Sequence, residues 1–109
     1  MILIFGGAYQ GKIAYAMERF NLNENSFFKI DKWILELIKA DMNVEEAVQE
    51  FIANNPNAII ICNDISCGIV PIDPVMRKWR EAVGRTLARL SQESSEVIRL
   101  FCGIATRIK

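Results

Sequence analysis

The chain has 109 residues, which fits one domain with a small core, and 51% of it is apolar. Thirteen basic residues balance thirteen acidic ones, with five basic and eight acidic groups in residues 1–55 and eight and five in residues 56–109. No long basic stripe interleaved with aromatic residues occurs, and no apolar run approaches the roughly 20 residues of a membrane span, so neither nucleic acid nor a membrane is expected as a partner.

The apolar run Met1-Ile2-Leu3-Ile4-Phe5 reads as a buried strand over residues 2–5. Gly6-Gly7-Ala8-Tyr9-Gln10-Gly11-Lys12 follows directly, with the spacing GxxxxGK of a phosphate-binding loop. Residues 12–20 read as a helix with Ile13, Ala16, Met17 and Phe20 on its inner face. Residues 21–25 form a polar connection, residues 26–30 a short aromatic-rich strand, and Asp31 is placed to cap a helix over 32–39 with Ile34, Leu37 and Ile38 inward. Asn43, with Glu46 three residues on, marks the start of another helix with the stripe Val44, Ala47, Val48 and Phe51. Asn54-Asn55-Pro56-Asn57 ends it.

Residues 58–62 (Ala-Ile-Ile-Ile-Cys) carry the strongest strand signal, because an unbroken β-branched run implies burial on both faces, as in a parallel sheet. After a turn-rich stretch, a long helix is expected over 74–92. Met76, Trp79, Val83, Thr86, Leu87 and Leu90 would face inward, and Arg77, Lys78, Arg80, Arg85 and Arg89 outward. That basic face is either simply solvated or a clamp for phosphates or a partner's carboxylates. Residues 96–102 form a last buried strand, and the tail from Gly103 could add an edge strand. This order predicts a single domain over residues 1–109: a three-layer α/β fold of phosphate-loop NTPase type, with a mostly parallel sheet and helices on both faces. The glycine loop then lies at the carboxyl end of the first strand, where such sheets bind ligands.

Three cysteines without CxxC spacing (Cys62, Cys67, Cys102) argue against a disulfide framework or a zinc ribbon, and read as small, mostly buried hydrophobes. No basic leader with a cleavage site opens the chain, so the cytoplasm is expected. Histidine is absent, which removes the commonest general base and any nucleotidyl-histidine intermediate on this chain.

In the loop, Gly6, Gly7, Ala8, Tyr9, Gln10, Gly11, Lys12 and Ile13 are the candidate nucleotide-binding residues. The glycines let several N–H groups aim at one anion, and the helix that begins near Gly11 adds its positive dipole end. Lys12 would reach the terminal phosphates and stabilise a transferred phosphoryl group. Ile13 stands where the spacing calls for a Ser or Thr whose hydroxyl binds magnesium. The bland alternative is a glycine turn with a solvated lysine. Asp64, two residues beyond the 58–62 run, is the candidate catalytic and metal-binding carboxylate, placed to hold Mg²⁺ or orient an acceptor hydroxyl. Asp31 occupies an equivalent place after the second strand. The alternative for both is a turn or helix cap.

With these residues in view, the chain resembles the adenosylcobinamide kinase/adenosylcobinamide-phosphate guanylyltransferase family of cobalamin biosynthesis. Asn63-Asp64-Ile65-Ser66-Cys67-Gly68-Ile69-Val70-Pro71 is similar to that family's N-E-V-G-x-G-I-V-P. Arg77-Lys78-Trp79-Arg80-Glu81-Ala82-Val83-Gly84-Arg85 is similar to its R-x-[FW]-R-[DE]-x-x-G-R. Ser95-Glu96-Val97 resembles the D-E-V of its last core strand, and residues 103–109 its G-I-x-x-[KR]-I-K ending. The loop matches G-G-x-R-S-G-K-S in part, with Tyr9, Gln10 and Ile13 departing from it, and Leu87-Ala88 replaces an Asn-Gln pair.

The resemblance implies a phosphate-loop enzyme that uses ATP or GTP with Mg²⁺ to phosphorylate a corrinoid alcohol, assembled as a homotrimer. It also implies guanylyl transfer through a covalent histidine. That route is closed to this chain, which lacks the nucleophile and the segment bearing it. Three readings follow: a compact kinase-like enzyme using Lys12 and Asp64, a non-catalytic nucleotide- or corrinoid-binding module, or a relic with an empty loop.

Overall fold

The computed structural model describes residues 1–7, 11–21, 23, 27–63 and 73–109. In chain order they form β1 (Ile2–Gly6), α1 (Lys12–Phe20), β2 (Phe28–Lys29), α2 (Ile30–Lys39), α3 (Val44–Asn54), β3 (Ile59–Asn63), α4 (Pro74–Glu93), β4 (Glu96–Phe101) and β5 (Ile104–Arg107). The strands make one sheet in the order β2-β3-β1-β4-β5. β1 pairs in parallel with β3 and with β4, β2 pairs in parallel with β3, and β5 runs antiparallel to β4. The expected α/β fold with a mostly parallel sheet is therefore what the chain adopts.

Two cores explain the unbroken apolar runs. Leu3, Ile60, Cys62 and Val97 on one face of the sheet pack against Ile30, Ile34 and Ile38 of α2 and Ala82, Val83 and Leu90 of α4. On the other face Ile4, Ile61, Ile98 and Leu100 pack against Ala16 of α1, with Ile13 and Phe20 alongside. Central strands buried on both sides cannot alternate apolar with polar residues. Each fully buried Leu or Ile, such as Leu3 and Ile60, contributes about 1.5–3 kcal/mol relative to exposure.

The helix boundaries follow their caps. The Asn43 side chain accepts from the Glu46 amide at 3.1 Å, as its spacing predicts. Asp73 caps α4 by accepting from the Val75 amide at 2.8 Å, and Pro74 fills the first helical position. Four expectations need correction. Met17 is 40% exposed rather than inward, because α1 lies on the sheet along Ile13, Ala16 and Phe20. The second strand shrinks to Phe28–Lys29 because α2 already starts at Ile30. Asp31 therefore lies in the first turn of α2 and is not its cap. Cys102 is exposed, in the two-residue turn that joins β4 to β5, whereas Cys62 is buried as expected. Cys67 lies outside the described residues.

Candidate functional site

β1 ends at Gly6, in register with Asn63 at the end of β3. The chain passes Gly7 and re-enters the described residues at Gly11, the N-cap of α1, in the left-handed region at φ 83°. A residue with a Cβ is disfavoured in that conformation. Gly6 is fixed by a different constraint: a Cβ there would stand 2.4 Å from the Leu100 carbonyl oxygen of β4. The first intrahelical bond of α1 runs from the Tyr15 amide to the Gly11 carbonyl at 2.9 Å. The N–H groups of Lys12, Ile13 and Ala14 thus have no acceptor within the helix, and the first turn holds neither a side-chain cap nor an acidic residue. Among the described residues this helix N-terminus has no cap, the arrangement that suits an anion.

Lys12, the first residue of α1, is only 6% exposed. Its Nζ donates to the Gly7 carbonyl at 2.5 Å, so the ammonium folds back across the base of the loop. Burial pushes its pKa below the ordinary lysine value of 10.5, and the nearby Asp31 carboxylate and Cys62 thiol act in the opposite direction.

An open cleft of about 280 Å³ fronts this helix end, lined by residues of the α1 N-terminus, Lys29, Asp31, Lys32, Ile61 and Asn63. The carboxyl ends of β2 and β3 thereby meet the glycine loop, as a sheet with β1 at its centre requires. Asp31 is 5% exposed, and its main-chain oxygen accepts from the Trp79 indole of α4 at 2.8 Å.

The structure thus brings Gly11, Lys12 and Ile13 to one cleft, whereas Gly6, in register with Asn63, and Gly7, which accepts from Lys12, do not line it. Ala8, Tyr9, Gln10 and Asp64 lie outside the described residues. Asp31, which the sequence places only by analogy with Asp64, is the carboxylate that lines the cleft among the described residues. Lys29 and Lys32 also line it and carry no local sequence signal, and Asn63, which opens the run similar to N-E-V-G, lines it too. The strand order that brings them beside the loop is what a reader of the sequence would have needed.

The residues present can hold phosphates by main-chain amides and an ammonium group. The described residues contain no group of three or more carboxylate, cysteine or histidine side chains able to cage a metal ion. Ile13 offers no oxygen. Among the described residues Asp31 supplies one carboxylate and Asn63 an amide oxygen, which is adequate for a magnesium ion delivered on a nucleotide but not for an all-protein site. No helix among the described residues is long and apolar enough to cross a membrane.

A comparison with curated proteins gave no match. A family model, described as cobinamide kinase / cobinamide phosphate guanyltransferase, matches residues 21–108. The match takes in Asp31, Asn63 and the arginines of α4, and it starts after the glycine loop, so the reading of Lys12 stands on this chain's own geometry. Spanning most of the sequence, it places the chain in the cobinamide kinase / cobinamide phosphate guanyltransferase family, with a nucleotide-linked role in cobalamin biosynthesis.

Proposed function

We propose that this chain binds ATP or GTP with its phosphates on the N-terminus of α1, and that phosphoryl transfer to a hydroxyl of a corrinoid is the reaction its cleft supports best. The observation that carries this is the buried Lys12 beside three helix amides with no intrahelical acceptor, opposite Asp31. Anion binding brings a counter-charge to an ammonium held at the cost of desolvation, and Lys12 can exchange the Gly7 carbonyl for a phosphate oxygen. The same contact strengthens as negative charge shifts in a phosphoryl-transfer transition state.

Asp31, and Asp64 if it lies beside the loop, would orient the attacking hydroxyl or hold Mg²⁺ arriving with the nucleotide. Such an ion would neutralise charge on the transferring group. Guanylyl transfer through histidine is not available to a chain without histidine. We place the activity in the cytoplasm, and an assembly of identical chains is expected from the family resemblance.

Ile13 favours a second reading, in which the nucleotide or corrinoid is held without turnover as an accessory or regulatory function. A thermal-shift series with ATP and GTP, with and without Mg²⁺, separates the two readings when run beside a phosphoryl-transfer assay on adenosylcobinamide. Saturation with nucleotide at 100 times Kd stabilises by about 2.7 kcal/mol, a rise of roughly 10 °C in a chain of this size. A magnesium-dependent shift with turnover supports the kinase, and a metal-independent shift without turnover supports the binder. Lys12→Ala removes the shift. An unchanged shift in that variant refutes a site at this loop.

A further inference from the structure

Helices α3 and α4 pack against one another, and between them a second hollow of about 180 Å³ opens that shares no lining residue with the nucleotide cleft. α4 contributes Ala82, Arg85, Thr86 and Arg89, which the three- and four-residue spacing puts on one face. α3 contributes Val44, Glu45 and Val48. The hollow exists because Ala82 and Thr86 are short where longer side chains would meet α3. Its floor is apolar, with Val48 3% and Ala82 4% exposed.

Two further features set this hollow apart from a packing defect. Thr86 is 94% buried, lines the hollow, and makes no hydrogen bond with any described residue. Its hydroxyl is not sealed in the interior, so it stands in the hollow as a donor and acceptor available to a group that enters. Arg85 at the rim has no ion-pair partner among the described residues, and Arg89 reaches only Glu93, at 3.9 Å. Guanidinium groups beside an apolar pocket with an available hydroxyl suit a ligand with an anionic head and an apolar body.

We propose that the α3–α4 groove is a second ligand site, for a small organic acid with one carboxylate or phosphate head group on a short apolar chain. Arg85 and Arg89 hold the head group, the Thr86 hydroxyl donates to one of its oxygens, and the body lies on Val44, Val48 and Ala82. A cavity of about 150 Å³ holds benzene, so this volume takes a body of about six to eight heavy atoms. Nucleoside triphosphates are too large, and the Glu45 carboxylate on the opposite rim repels polyanions.

The test is a titration of isotope-labelled full-length protein, followed by amide NMR shifts, with isovalerate, isobutyl phosphate and the neutral isovaleramide. The expected result is a saturable shift of amides in residues 44–48 and 82–89 with one or both acids. The acid that saturates at lower concentration identifies the head group. Isovaleramide should leave those amides in place. Arg85→Gln, at an exposed position, should weaken binding about tenfold, the scale of one charge-assisted contact. Thr86→Val, a swap of similar shape, should weaken it several-fold, and Glu45→Gln should tighten it. The proposal is overturned if isovaleramide binds as well as isovalerate, if no shift saturates, if Arg85→Gln binds unchanged, or if the shifts centre on residues 11–14 instead.

Discussion

Gly6 and Gly11 serve the loop for different reasons, and substitution separates them. Alanine at Gly6 forces a Cβ to 2.4 Å from a main-chain oxygen of β4, so strand or loop must move. The expected loss is about 3 kcal/mol or more, toward the severe end for single substitutions. Alanine at Gly11 meets nothing within 4 Å among the described residues and carries the left-handed backbone penalty, about 1–2 kcal/mol. Urea unfolding of the two variants checks the order, and a Gly6→Ala protein as stable as Gly11→Ala would contradict the strand approach described here. Both glycines were legible in the sequence from the GxxxxGK spacing. That Gly6 answers to β4 rather than to an anion was not, since Leu100 is remote in sequence. Asp31 shows the same limit, because the Trp79 indole that binds its main-chain oxygen is remote in sequence.

Among the elements, β1, β3 and α4 were readable because burial on both sides, or length with a cap, leaves a local imprint. The end of β2 was not, since two residues of pairing give no periodicity to read. The Asn43 and Asp73 caps are local by nature, and Asn43 behaves as its spacing implies. Contacts between elements are the part that local pattern misses, and Trp79 is the instructive case. Its indole ties α4 to the first turn of α2 at the point where that turn supplies Asp31 to the cleft. Trp79→Phe keeps most of the packing and removes that bond. The expected loss is about 1–2 kcal/mol of stability, with a weaker nucleotide-induced shift in thermal melts. Loss of stability with an undiminished nucleotide response would mean that α4 supports the fold but not the site.

For the molecule as a whole, the buried Lys12 makes stability depend on pH. Its pKa in the folded state lies below 10.5, so the unfolded chain binds more protons between the folded value and 10.5. Stability attributable to this group therefore rises with pH through that alkaline window, and at neutral pH the charge is a burden on the unliganded fold. Lys12→Met should accordingly be more stable than the parent at neutral pH, with the difference shrinking as the pH approaches 10.5. Urea midpoints measured across that range test it, and a difference independent of pH would show that desolvation of the ammonium is not the cause.

The strand order has a consequence for how the chain is made. β1 sits between β3 and β4, and its first residue pairs with Ile59 and Glu96. Both neighbours are synthesised long after it, so the segment that carries the glycine loop leaves the ribosome with neither flank to pair with. Parallel pairings between such distant segments close slowly and late. During translation the apolar β1 strand is the part most in need of shielding by chaperones.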